Sequence, residues 1–247
     1  AATDTLVNLT STQTLTNKTL TAAGTNTVEA TSGPTSTQLA GQRNKIINGG
    51  MVIDQRNAGA SVTPANTNYT LDRWAFSLGQ ASKLSVQQST NAPAGFINSL
   101  LITSLSSYSV LSTDNFNVLQ RIEGLNCADL AWGTSSAKTV TLSFQVYSSL
   151  TGTFGGALQN SAGNRSYPFS YTISSANTWT TVSITIPGDT TGTWLTTNGV
   201  GVAVWFGLGV GSTYSGTAGA WASGLYVSAT GATSVVGTNG ATFYITG

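Results

Sequence analysis

Within residues 138–147, KTVTLSFQVY, polar and apolar side chains alternate from Thr139 to Val146 without a break. Val140, Leu142, Phe144 and Val146 share one face, and Thr139, Thr141, Ser143, Gln145 and Tyr147 the other. That period of two belongs to a strand buried on one side only, and a helix cannot satisfy it. The same comb recurs in Trp74, Phe76 and Leu78, in Val182, Ile184 and Ile186, in Val200, Val202, Val204, Phe206 and Leu208, and in Phe243 and Ile245. Weaker combs fall at 83–88, 99–105, 116–123 and 166–174. Pro187-Gly188-Asp189 and Thr197-Asn198-Gly199 supply turn chemistry between them. Amphipathic helix patterns are missing, and no fixed repeat period points to a propeller or β-helix. Residues 43–247 are therefore expected to form an all-β domain, an antiparallel jelly-roll-like sandwich with the combs facing inward.

Residues 1–42 have a different texture. In LTSTQTLTNKTLT, Thr10, Thr12, Thr14 and Thr16 alternate with Ser11, Gln13, Leu15 and Asn17, which is strand periodicity with little to bury. Such a strand gains stability by wrapping with copies of itself or by packing on a neighbour. The expectation is a short extended or β-stranded stalk or attachment segment in a homotrimer. A flexible Ser/Thr linker is the alternative, and Gly24, Gly33-Pro34 and Gly41 suit hinges in both cases.

Composition narrows the function. Charged residues make up 7% of the chain, against about 25% in ordinary domains, while 40% is apolar, enough for a core. The net charge of +1 and the lack of a basic run argue against nucleic acid as a partner. Neither a membrane-spanning apolar run nor a signal peptide is visible, so membrane insertion is not expected. The absence of an initiator Met suggests a processed or partial chain. With one cysteine, Cys127, no intrachain disulfide can form, and with no histidine the His-dependent triads, Cys-His pairs and common zinc sets are excluded.

Eight carboxylates remain, at Asp4, Glu29, Asp54, Asp72, Asp114, Glu123, Asp129 and Asp189. Glycoside hydrolysis needs two across a bond, and Asp54, Asp72, Glu123 and Asp129 are the candidates. Neighbouring arginines give three of them a simpler reading as structural ion pairs: Asp54 with Arg56, Asp72 with Arg73, and Glu123 with Arg121. GLGVGSTYSG at 207–216 lacks the Lys-Ser/Thr ending of a phosphate loop. No calcium-loop spacing is present. No catalytic residue, cofactor or metal is assigned, and a non-enzymatic protein is expected.

Some aromatic residues fall out of phase with the combs. Tyr147, Trp205 and Tyr244 project from the face opposite their aliphatic neighbours. Sugar C–H faces stack on such rings, and sugar hydroxyls pair with amide and guanidinium groups, which Gln145, Arg121 and Arg165 can supply. A subunit interface enriches the same residue types, so both readings stand. Trp74, Trp132 and Trp179 are expected to pack in the core or at strand ends; Trp194 and Trp221 flank glycine-rich turns and stay unassigned.

The passages NLTSTQTLTNKTLT at 8–21, NKIINGGMVIDQRNAG at 44–59 and YTLDRWAF at 69–76 resemble the shaft and the receptor-binding domain of bacteriophage tail fibres. The likeness continues through VTLSFQVYSS, NRSYPFSYTISSANTWTTVSITIPGDTTGTW and ATFYITG. It implies a trimeric, carbohydrate-binding-like jelly-roll tip on a virion, extracellular in location and bound to other virion proteins through its N-terminal segment. It carries no catalytic signature. The shaft-like stretch is shorter than in whole fibres, which leaves open a fragment, a compact fibre or a head-decoration protein.

Three functions follow for comparison. One is a tail-fibre protein attaching to a host cell-surface glycan. Another is a structural virion component, a capsid decoration or tail protein, whose aromatic faces are subunit interfaces. The third is a polysaccharide depolymerase.

Overall fold

The computed structural model describes residues 44–247; the expected stalk at 1–42, and any trimer built through it, lie outside the described residues. Asn44–Gly247 form one unit of two five-stranded antiparallel sheets, as the combs predict. The first sheet has the order β1-β4-β9-β6-β7, with β1 at Trp74–Leu78, β4 at Asn115–Glu123, β9 at Val200–Val210, β6 at Gly152–Gln159 and β7 at Ser166–Ile173. The second has the order β2-β3-β12-β5-β8, from Leu84–Ser89, Ser99–Ser104, Thr242–Thr246, Val140–Ser148 and Thr180–Ile186. A parallel pair, β10 at Ser215–Gly216 and β11 at Ser228–Ala229, completes the set.

The combs meet between the sheets. Phe76, Phe116, Phe154, Phe169, Phe206 and Phe243 are fully buried there. Phe144 reaches across from the second sheet, edge-on to Phe206 at 5.0 Å and to Tyr171 at 5.1 Å. The aromatic edges lie over neighbouring ring faces, the arrangement that their quadrupoles favour.

The outer faces of the sheets differ. On the first, Asn117, Leu119, Ala157 and Ala203 are buried although they point away from the core. β11 lies against this face: a Cβ at Gly155 or at Gly207 would stand 2.6 Å from Ser228 Oγ. Only glycine allows the two layers of backbone to come that close. The outer face of the second sheet keeps Thr141, Ser143, Thr181, Ser183 and Thr185 exposed.

Residues 44–59 are stitched onto one end of the sandwich. The buried Gln120 side chain accepts from Ile47 N and donates to Ile47 O, both at 2.8 Å, imitating a strand partner. Trp74 Nε1 donates to Asn48 O, and the Asn48 side chain ties Ile53 to the carbonyl of Asp72. Gly247 N donates to Gly49 O, so the last described residue lies beside this segment.

β6 is the strand that the sequence did not announce. GTFGGALQ carries three glycines and no clean alternation, because half of its partners are the covering layer rather than solvent.

Candidate functional site

The six candidate contact residues do not form one site. Gln145 and Tyr147 on β5 and Tyr244 on β12 share the outer face of the second sheet. Arg121 on β4 and Trp205 on β9 lie on the covered side of the first sheet. Trp205 Nε1 is buried there without a partner among the described residues. Arg165, in the β6–β7 turn, donates through Nε and Nη2 to the two oxygens of Asp189, both at 2.7 Å, with side-chain exposures of 16% and 2%. That engagement makes Arg165 part of the scaffold.

The second-sheet group gains a member. Trp179, expected to be packing, sits just before β8, and the β5–β8 register carries it next to Tyr147. Tyr147 meets Tyr244 edge-to-face at 5.0 Å, Trp179 lies 5.6 Å from Tyr147, and Trp179 and Tyr244 are 6.2 Å apart. All three are half-buried. Trp179 Nε1 donates to Asn91 Oδ1 at 3.4 Å, bringing the 90–98 loop to the edge of the cluster. Mutual packing holds the rings at low entropic cost and leaves part of each accessible.

Polar rungs run along β5 and β8 beside this cluster. The cross-strand pairs are Gln145 with Thr181, Ser143 with Ser183, and Thr141 with Thr185. Thr181 Oγ1 donates to Gln145 Oε1 at 3.2 Å. The signal for Trp179 was present in the sequence, since it stands out of phase with Val182, Ile184 and Ile186, but its position before the strand hid it.

Trp132, Trp194 and Trp221 form a second aromatic group at another end of the sandwich, with centroids 4.8 to 5.3 Å apart and near-perpendicular rings. Their indole N–H groups donate to the backbone carbonyls of Lys138, Thr191 and Pro187. With every indole N–H satisfied internally, Trp132 is buried and the half-exposed Trp194 and Trp221 pack on it at the margin of the core. This arrangement confirms packing for Trp132 and gives Trp194 and Trp221 the same role.

Each described carboxylate has a partner in the chain. Asp54 accepts from the backbone of Asn57 and Gly59, and Asp72 from Gln55 N. Asp114 accepts from Tyr108 Oη and Leu111 N, and Asp129 from Lys45. Glu123 pairs with Arg73 at 2.7 Å, whereas the sequence spacing had pointed to Arg121. The expected Asp54–Arg56 and Asp72–Arg73 pairs do not form either. Arg73 has φ 74°, and its guanidinium crosses to β4. Bonding to Arg73 holds the Glu123 carboxyl below its ordinary range. Burial alone would raise Asp189, but Arg165 and Thr191 outweigh it and hold that carboxyl low. Both are thus ionised at neutral pH, which is unlike a poised general acid.

No family model and no curated protein sequence matches the chain. Several solved structures are similar in part. The enzymatically active domain of tailspike protein 4 of bacteriophage CBA120 is 14% identical, with a TM-score of 0.43, over 76% of this chain and 21% of that one. The chain thus spans about a fifth of the length of that tailspike. The tandem family 22 carbohydrate-binding modules of Paenibacillus barcinonensis Xyn10C are 15% identical, with a TM-score of 0.38, over 77% of this chain and 48% of theirs. A family 61 carbohydrate-binding module solved with β-1,4-galactotriose is 12% identical, with a TM-score of 0.35, over 82% of this chain and 97% of that one. At these scores no ligand, activity or residue role passes from them to this chain.

Proposed function

We propose that the protein is a non-enzymatic phage tail-fibre component that attaches to a host-cell glycan through the outer face of its second sheet. The observation that carries the reading is the Tyr147–Tyr244–Trp179 cluster, three half-exposed rings beside the half-exposed Gln145 amide and exposed hydroxyl groups. Stacking rings next to directional polar groups are what sugar recognition requires. The engagement of every described carboxylate within the scaffold supports binding over hydrolysis. The tail-fibre assignment, with its virion location and homotrimeric state, rests on the resemblance of the 8–21, 44–59 and 69–76 passages. A glycan array probed with the intact chain tests the function. Retention on host envelope glycans without release of reducing ends is expected, and uniform absence of binding would overturn it.

A structural virion role is the second reading. Val52, Ile53 and Ile97 are exposed by 57, 48 and 73%, and Val52 and Phe96 both flank Gly50 at the stitched end. Exposed apolar groups close to one another favour a protein contact. Native mass spectrometry and a particle reconstruction test this role. Tyr147 and Tyr244 buried between subunits would favour it over glycan binding.

A further inference from the structure

None of the five strands of the second sheet contains a charged residue. The bordering segments, TNAPAGFIN at 90–98 and SSANTW at 174–179, contain none either. By contrast, the first sheet carries Arg121 and Glu123 on β4. The face is built from hydroxyl, amide and aromatic groups with Leu101 beside Tyr244, and its nearest cations, Lys83 and Lys138, stand just beyond the starts of β2 and β5, so the strands themselves offer a ligand no countercharge. An anionic or cationic polymer placed on it would lose hydration without gaining an opposite charge along β5 and β8. An uncharged ligand loses nothing of that kind.

The face also has a direction. From Tyr147 and Trp179, the half-buried Gln145 with the exposed Thr181, and then the exposed rungs Ser143–Ser183 and Thr141–Thr185, continue along β5 and β8. Six residues of strand span about 20 Å, longer than one sugar ring. Ring stacking at one end fixes where a chain sits. Hydroxyls along the remainder offer both donors and acceptors to an extended partner rich in the same groups.

We infer that the second-sheet face recognises an uncharged glycan chain of several sugar units, anchored on Tyr147, Trp179 and Tyr244 and extended along β5 and β8. The inference rests on the glycan-binding reading above and adds charge class and length to it. It excludes acidic capsule-type polymers as ligands of this face.

The test uses the full chain and titration calorimetry with neutral gluco- and galacto-oligosaccharides of increasing length, with polygalacturonate as the acidic counterpart. Affinity for the neutral series is expected to rise with length and then level off. It should change by less than about twofold between low and high salt, because no ion pair is there to be screened. Tyr147→Ala is expected to weaken it by about tenfold or more. Ser143→Lys changes an exposed rung without touching the core, and it is expected to weaken neutral binding while thermal unfolding stays unchanged. Ser161→Lys, in the exposed β6–β7 turn, should leave binding as it was.

Preferential binding of polygalacturonate that fades with salt would overturn the charge class and leave glycan recognition standing. Equal affinity for one sugar unit and for the longest chain would overturn the extended track. Binding to none of these glycans, with Tyr147 and Tyr244 shielded by a second copy, would overturn both this inference and the proposed function.

Discussion

Arg165 and Asp189 meet in a two-pronged ion pair, Nε to Oδ2 and Nη2 to Oδ1, that joins the β6–β7 turn to the segment after β8. Asp189 O also accepts from Gly133 N, and Asp189 Oδ1 from Thr191 N and Oγ1, so one residue gathers bonds from three places in the chain. Replacing Arg165 with Ala leaves a carboxylate of 2% exposure without its cation. A loss of about 3 kcal/mol is expected in urea unfolding.

The same pair sets an acid limit. Asp189 and Glu123 are both held below their ordinary values. A depressed carboxyl contributes its full stability above the unfolded-state pKa of about 4 and loses it as pH falls through the folded value. The urea midpoint should therefore be level above about pH 5 and decline below it. In Asp189→Asn the decline should be shallower, as a midpoint-against-pH series will read.

Tyr147 and Tyr244 support each other across β5 and β12. A double-mutant cycle with Tyr147→Ala and Tyr244→Ala should return a coupling of about 0.5–1.5 kcal/mol in stability. Additive effects would mean that the two rings stand independently.

Trp221→Ala opens the tryptophan group toward Tyr167, whose ring lies 5.2 Å from Trp221. About 3 kcal/mol of stability should be lost. The near-ultraviolet circular dichroism from the coupled indoles should collapse while the far-ultraviolet strand signal persists.

Cys127 is buried, and its burial pushes the thiol up to about 11. At pH 8 the native protein should resist a disulfide-exchange reagent. Adding urea should make the single thiol react, at a rate that follows the fraction unfolded.

The strands were legible in the sequence wherever one face met the core and the other met water. Val140 to Val146 and Val182 to Ile186 are such cases, and their placement agrees with the alternation within a residue or two. β6 was not, because Gly155 and Ala157 face a covering layer that demands small residues rather than polar ones. Phase alone found Tyr147 and Tyr244 but could not say on which sheet each lay. It therefore grouped Trp205 with them, although β9 belongs to the opposite sheet. Ion pairs were misread for a related reason. Nearness in sequence suggested Arg121 for Glu123, while the chosen partner, Arg73, arrives from the turn just before β1, 50 positions away. Pairing across strands is set by register, which no single segment contains.

The Gln120 clamp has a mechanical consequence. Ile47 is held on both sides by one amide whose own strand, β4, lies inside the first sheet between β1 and β9. A pull applied at Asn44 loads the Lys45–Asp129 pair and then those two hydrogen bonds together before it reaches β1 at the sheet edge. Tension arriving at the domain is thus met by a strand inside the sheet rather than by the sheet edge.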